Sequence, residues 1–217
     1  MAGARPHRAE RREYFIDVVG ILVADEGLAA VTMERVAALA EVSKPVLYSH
    51  FPDRGALLTA LLERCWHQMD SVVQGRLRAA HSLDECLEAV VTGYFDELDR
   101  QGPVLQLMVT SGWHEPAVED ARVRRHRAAE REWSAFYEQQ VGLPAAVAEP
   151  AAAMLRTALQ GAAAYWIEHP KSRREDVVRT CLVIMRAGLD RLGRQHRIEN
   201  IERPATAGRR RPTPARS

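Results

Sequence analysis

The sequence predicts an all-α protein of about nine helices, with three short helices first and mostly longer ones after them. Two observations support this fold class. Ala, Leu, Arg and Glu dominate the 217 residues, and apolar residues recur every three or four positions rather than every two. Proline, glycine and capping residues then divide the chain into segments of helical length.

The first short helices are bounded by recognisable signals. A helix is expected over about 10–26, and Thr32 is a good N-cap for the next one. A break at 41–43 separates that helix from another over 44–50. Asp53 is placed to cap a long fourth helix. The sequence thus predicts two short helices joined by a three-residue turn, lying between two longer ones.

The remaining chain predicts longer helices and a tail. Further helices are expected over about 82–100, 104–109, 116–140, 145–168 and 172–193. The last segment is rich in Pro, Arg and small residues, which is typical of disorder. We therefore expect a domain with the short helices over 8–55, a domain of mostly longer helices over 56–194, and a disordered basic tail over 195–217.

Composition restricts the function classes. Lys plus Arg is 30 and Asp plus Glu is 29, so a uniformly basic nucleic-acid coat protein is excluded, whereas a local basic surface is not. The three cysteines lie far apart and predict free thiols rather than a disulfide framework or a zinc ribbon. No apolar run approaches the ~20 residues of a membrane helix, and no signal peptide is recognisable. We expect a cytoplasmic protein without a metal or cofactor.

Segment 27–63 carries the most specific signal. Small residues, Ala37 and Ala40, stand where the two short helices must approach closely, and Val42 and Leu47 suit the core that orients the second helix. This pattern predicts a helix-turn-helix, whose second helix enters the DNA major groove. The alternative is a helical hairpin with a solvated charged face.

The exposed residues of this segment suit contacts with DNA. Ser43 can cap the second helix and reach a phosphate, and Lys44 can reach a base edge or a phosphate. The predicted DNA-binding residues are Thr32, Ser43, Lys44, Pro45, Val46, Tyr48, His50 and Arg54. Four arginines near the N-terminus form either an arm on the DNA or a frayed solvated end, namely Arg5, Arg8, Arg11 and Arg12.

The segment resembles the DNA-binding domain of the TetR family of transcriptional regulators. The resemblance is carried by Thr32, Val36-Ala37, Ala40-Glu41-Val42-Ser43, Leu47-Tyr48, Phe51, Arg54 and Leu57-Leu58. It covers about the first quarter of the chain closely. Two positions depart from the family pattern: Glu41 stands for the usual turn glycine and Arg54 for a lysine. If the turn requires a left-handed residue, Glu41 costs about 1 kcal/mol.

A dimer is expected from both geometry and resemblance. Two recognition helices reach successive major grooves when they lie about 34–36 Å apart, which implies a two-fold dimer and a near-palindromic operator. The last two long helices present apolar faces suited to this contact, and the resemblance implies a four-helix interface between subunits. The alternative is that these faces belong to an ordinary intramolecular core.

The middle helices are expected to hold a pocket for a small, largely apolar effector. The predicted ligand-binding residues are Trp66, Tyr94, Leu98, Met108, Trp113, His114, Trp133 and Tyr137. Taken singly, each of the apolar and aromatic residues is more often part of a core than of a ligand site, and a capping or solvated role is the commoner one for His114.

The resemblance implies a repressor that an effector releases from its operator. An effector-activated regulator, a helical enzyme and a protein-interaction module remain as alternatives. No P-loop, G-x-S-x-G or zincin motif supports an enzyme. An interaction module leaves the combination of Thr32, Lys44, Tyr48 and Arg54 unexplained.

Overall fold

The computed structural model describes residues 8–110 and 115–202, with the side chains of 108–110 and 199–202 left undescribed. Within these ranges the chain folds into nine α-helices, a short 3-10 helix (Leu28–Ala30) and no strand. The helices are α1 (Arg8–Glu26), α2 (Met33–Leu39), α3 (Lys44–Tyr48), α4 (Arg54–Leu77), α5 (Leu83–Gln101), α6 (Pro103–Thr110), α7 (Pro116–Val141), α8 (Ala145–Glu168) and α9 (Arg174–Glu202). The predicted all-α class and helix number are confirmed.

Two predicted caps are present, one at the short helix α2 and one at the long helix α4. The Thr32 hydroxyl accepts a hydrogen bond from the backbone N–H of Arg35 at 3.1 Å, and the Asp53 carboxylate accepts one from Ala56 at 2.7 Å. Ser43, by contrast, makes no capping bond with its side chain. One reason is that Pro45 occupies the second helical position, where a capped helix would offer an N–H.

Helices α1 to α4 enclose a small core. Phe15, Val36, Leu47 and Phe51 are almost completely buried there, and the rings of Phe15 and Phe51 meet edge to face at 6.5 Å between centroids. Each side chain of this size contributes roughly 1.5–3 kcal/mol when buried. The core therefore holds α2 and α3 against α1 and the start of α4.

The longer helices pack into a second layer around the same α4. Helix α4 contacts α5 and α7, α7 packs along α8, and α9 contacts α5, α7 and α8. Ion pairs reinforce one of these contacts: Arg174 of α9 lies 3.2 Å from Asp99 of α5. Because α4 belongs to both layers, it connects the N-terminal domain mechanically to the remaining helices.

Helix α9 runs further than the sequence predicted. It continues to Glu202, so residues 195–202 are helical and the expectation that disorder begins at 195 is wrong. Gly193 does not end the helix. A Cβ at Gly193 would lie 2.9 Å from Val141, so the glycine permits a close approach of α9 to the end of α7. None of the described helices is long and apolar enough to cross a membrane.

Candidate nucleic-acid interface and effector cavity

Helix α3 is presented at the surface by the residues beneath it. Val36, Ala37 and Leu47 are buried, so the core side of the α2–α3 pair is fixed. The outer side of α3 and its N-cap is exposed and consists of Ser43, Lys44, Pro45 and Tyr48, with Val46 half-buried beside them. Four of the predicted DNA-binding residues are therefore exposed at α3 and its N-cap, and a fifth, Val46, is half-buried beside them.

The turn between α2 and α3 needs a left-handed residue. Glu41 has a φ of 53°, the only positive value at a non-glycine position among the described residues. The hydrogen bond from the N–H of Val42 to the carbonyl of Ala37 (3.0 Å) closes the end of α2 at this point. The left-handed turn considered from the sequence is therefore present, and Glu41 carries its conformational cost.

Lys44 is paired in the free protein. Its ammonium group lies 2.8 Å from the carboxylate of Glu34 in the first turn of α2, and both side chains are more than half exposed. The hydrogen bond from Lys44 lowers the pKa of Glu34, so this carboxylate is charged at neutral pH. A phosphate that binds Lys44 must compete with Glu34.

Arginines of α1 lie beside the end of α3. Arg8 donates a hydrogen bond to the carbonyl of Ser49 at 3.3 Å, and the guanidinium of Arg12 lies 4.7 Å above the ring of Phe51. Burial lowers the pKa of His50, and the charges of Arg8, Arg11 and Arg12 lower it further. His50 is therefore neutral at pH 7 and lies within a positive surface. Arg5 lies outside the described residues.

Arg54 has internal partners. Its Nε donates to the carbonyl of Val31 at 2.6 Å, its Nη2 donates to the carbonyl of Leu28 at 2.8 Å, and its Nη1 pairs with Glu115 beside the start of α7. Next to it, a Cβ at Gly55 would lie 3.3 Å from Ala117. Arg54 thus joins the segment before α2 to the N-terminus of α7.

The segment that contains α2 and α3 matches a known domain. The family model described as "Bacterial regulatory proteins, tetR family" matches residues 21–61, which contain α2, α3 and the turn between them. Residues 21–61 thus form a segment of the TetR type.

Relatives of this chain include two curated regulators. It is 37% identical over 102 residues to the HTH-type transcriptional activator FasR of Mycolicibacterium smegmatis, covering 46% of this chain and 47% of FasR. It is 28% identical over 159 residues to the HTH-type transcriptional regulator BetI of Paraburkholderia xenovorans, covering 71% of this chain and 80% of BetI. The chain thus spans about half the length of FasR.

The similarity in fold extends over both layers. A solved structure of a TetR-family regulator from Syntrophomonas wolfei superposes with a TM-score of 0.71 and 15% identity, covering 84% of this chain and 96% of that one. At this identity the comparison concerns the fold alone. The TetR fold thus includes the C-terminal helices, beyond the segment whose sequence carries the family motif.

A cavity of about 210 Å³ lies between α4, α5, α6, α7 and α8 of this TetR-type fold. Most of its lining is apolar or aromatic. The apolar and aromatic lining consists of Leu62, Trp66, Met69, Val73, Val90, Tyr94, Leu105, Val118, Ala129, Trp133 and Leu159. Apolar walls around a few polar groups are typical of a small-molecule site.

The structure brings three of the predicted ligand-binding residues together in this cavity: Trp66, Tyr94 and Trp133. Leu98 and Tyr137 are buried but lie outside its lining, and Tyr137 packs behind Trp133 with ring centroids 5.9 Å apart. Three further predictions lie outside what the structure describes: the side chain of Met108, and Trp113 and His114 entirely.

Sequence reasoning missed the polar part of the lining. It consists of Asp70, Arg122, Arg125, His126, Arg156 and Gln160. A signal was present, because Arg122, His126, Ala129 and Trp133 follow one another at a spacing of three or four and therefore share a face of α7. The spacing places the two basic residues on the same face of α7 as Trp133, but it does not distinguish a face that lines a cavity from a solvated one.

Helices α8 and α9 leave an apolar surface exposed, which we call the α8–α9 face. Met154 and Tyr165 on α8 and Ile184 on α9 are half exposed or more. Two glycines on the same face, Gly161 and Gly188, have no atom within 4 Å of the position that a Cβ would take. Met154, Gly161 and Tyr165 follow a helical spacing, so they form a stripe along α8.

Proposed function

We propose that the protein is a dimeric, effector-controlled DNA-binding transcriptional regulator, acting in the cytoplasm as a repressor of a near-palindromic operator. One observation carries this proposal: the exposed face of α3, flanked by the arginines of α1, is connected through α4 to a lined cavity. The match of residues 21–61 to the TetR family model supports the same function and favours it over an enzyme or a protein-interaction module.

DNA binding is assigned to the domain over 8–55. Ser43, Lys44 and Tyr48 contact phosphates or base edges in the major groove, while Pro45 and Val46 offer apolar contact. Thr32 and His50 flank this surface. Arg8, Arg11 and Arg12 add positive charge at its edge, which favours the phosphate backbone.

Dimerisation is assigned to the α8–α9 face, within the domain over 56–194. Exposed apolar side chains on two adjacent helices are costly in water, and a second copy would cover them. Gly161 and Gly188 permit close helix approach across such a contact. The two-fold axis then places two copies of α3 on successive major grooves.

Control by the effector uses the contact between α4 and α7. Both helices line the cavity, and both start at the Arg54–Glu115 pair. A ligand that requires a shift of α7 also shifts Glu115 and the Arg54 guanidinium paired with it. This guanidinium donates hydrogen bonds to the carbonyls of Leu28 and Val31, so the segment before α2 moves as well. The orientation of α2 and α3 in the two subunits then changes together.

An effector-activated regulator is the second candidate, and the relative FasR is described as a transcriptional activator. The two candidates differ only in which ligand state places both copies of α3 at the groove spacing. Release by the effector predicts that the effector weakens operator binding, whereas activation by the effector predicts that it strengthens operator binding.

Selection of bound sequences from a random DNA pool, with the full chain at physiological salt, tests the proposal. We expect enrichment of a palindrome with half-site centres about one helical turn apart or a multiple of it. A chain that remains folded and dimeric but enriches no sequence, either alone or with cell extract supplying effector, would contradict the proposal.

A further inference from the structure

The polar part of the effector cavity is basic. Three arginines line it, Arg122, Arg125 and Arg156, against a single acidic residue, Asp70. Cationic groups in a pocket with mostly apolar walls are costly unless they are paired. Their partners therefore decide whether the pocket can attract a charged ligand.

Each arginine has a carboxylate partner but two keep unused donors. Arg122 donates to Glu119 through Nε and Nη2, at 2.8 and 2.6 Å, and Arg125 donates to Asp70 through Nη2. A guanidinium has five N–H donors. Within the described part of the chain, no acceptor is bonded to Nη1 of Arg122 or to Nε and Nη1 of Arg125.

The charge of these arginines dominates over that of their partners. Burial, followed by the charges of Arg156 and Arg122, lowers the pKa of His126 to about 4, and the opposing effects of Glu130 and Glu119 are smaller. Burial also raises the pKa of Asp70, although Arg125 opposes this. The potential at the His126 ring is therefore positive.

A hydrogen-bond chain fixes the tautomer of His126. Arg156 donates to Oε1 of Gln160 at 2.7 Å, so the amide nitrogen of Gln160 lies toward Nε2 of His126, at 3.1 Å. Because the ring is neutral, Nε2 accepts this bond and the proton is on Nδ1. His126 thus adds a neutral N–H donor to the two arginines on the same helix.

We propose that the cavity binds a small molecule with an apolar or aromatic body and one anionic group, whose oxygens are bound by Arg122 and Arg125 with the N–H of His126. Carboxylate and phosphate ester share this chemistry. The volume of about 210 Å³ equals roughly seven water volumes and suits on the order of ten non-hydrogen atoms. Trp66 and Trp133 provide the walls for the body.

The competing explanation is that the arginines only hold helices together. Arg125 pairs α7 with Asp70 of α4, and Arg156 of α8 pairs with Glu130 of α7 at 2.8 Å. A purely structural role gives no preference between an anion and a neutral molecule of the same shape, since both would fill the same apolar space.

Isothermal titration of the full chain with matched compounds separates these explanations. The probes are octanoate, octyl phosphate and octanamide, together with 4-phenylbutyrate and 4-phenylbutanamide. We expect at least one anion to bind at least tenfold more tightly than the amide of the same body. The comparison of octanoate with octyl phosphate decides which anion is preferred. If none of the three anions binds more tightly than the amide of the same body, or if no anion binds at all, the proposal is overturned.

Variants on α7 provide the matched control. Arg122→Gln and Arg125→Gln each remove one cavity charge and are expected to weaken binding of the preferred anion about tenfold or more. Arg124→Gln and Arg127→Gln remove the same charge from exposed positions of the same helix and are expected to leave binding unchanged. Equal losses in all four variants would show that only the overall charge matters and would overturn the assignment.

This inference rests on the cavity of the proposed function but is measured without DNA. Operator selection can succeed while the titration shows no anion preference. That result would support the proposed regulator and refute the proposal of an anionic ligand. Conversely, if the chain binds an anion but enriches no DNA sequence, the proposal of an anionic ligand stands and the proposed regulatory function is refuted.

Discussion

Replacing Arg54 tests the connection between the DNA-binding domain and α7. The guanidinium makes two charged hydrogen bonds to backbone carbonyls, at 2.6 and 2.8 Å, and an ion pair with Glu115. Hydrogen bonds of charged groups contribute about 1.5–3 kcal/mol each when well buried. Since the side chain is 32% exposed, solvent screening reduces this contribution. We expect Arg54→Met to cost about 2–3 kcal/mol in total.

The assay is thermal unfolding of the full chain together with DNA binding at several salt concentrations. A loss of 2–3 kcal/mol lowers the Tm by roughly 5–10 °C for a chain of this size. Arg35→Met is the matched control, because Arg35 makes a single ion pair, with Glu26, and is 47% exposed. Its removal should cost at most about 1 kcal/mol.

Arg54→Lys separates the structural role from a phosphate contact. Lysine keeps the charge but cannot span two carbonyls and a carboxylate with a planar fork. If Arg54 is structural, the lysine variant still loses several degrees of Tm. A wild-type Tm in both variants, with a salt slope of DNA binding reduced by about 1 in Arg54→Met alone, would refute the reasoning and restore the phosphate contact.

Three further predictions concern individual residues. Glu41→Gly removes the left-handed strain at φ 53° and should raise the Tm by roughly 2–4 °C; an unchanged or lower Tm would contradict this. Glu34→Gln frees Lys44 and removes a negative charge beside it, so DNA affinity should rise roughly two- to fivefold in a binding titration, whereas the exposed control Glu63→Gln should have no effect. Gly188→Leu has space in the single chain and should leave folding intact while converting the dimer to a monomer in light scattering; a persistent dimer would exclude this part of the α8–α9 face.

Local signals made much of the fold predictable from the sequence. Thr32 and Asp53 cap the helices that they were expected to cap, because the geometry of an N-cap depends only on the next three residues. The turn at Glu41 could be anticipated for the same reason. Ser43 differed because a neighbouring proline removes an N–H that its hydroxyl needs.

Contacts between residues far apart in the sequence were harder to predict. Nothing near Arg54 in sequence indicates that its partners are Leu28, Val31 and Glu115, which are 23 to 61 positions away. Likewise, glycine often ends a helix, but Gly193 instead provides space for Val141. Such roles depend on which helices become neighbours, and a single sequence does not specify that.

The cavity was predictable in part. Trp66 and Trp133 could be predicted as cavity candidates because they are aromatic residues at helical spacing. That pattern does not distinguish a lining residue from a core residue such as Tyr137. The basic residues of α7 resemble those of any solvated helix face. Only the packing of α7 against α4 and α8 places Arg122 and Arg125 in the cavity, away from Arg124 and Arg127.

The most direct test of the central claim is a DNA-binding titration of Lys44→Ala and Tyr48→Ala beside the wild-type chain, on the selected operator and over a range of salt concentrations. The account predicts that both variants remain folded dimers and bind the operator at least about tenfold more weakly. Lys44→Ala should also lower the salt slope by about 1 for each phosphate that the lysine neutralises. Wild-type affinity and salt dependence in both variants would contradict the assignment of α3 as the recognition helix.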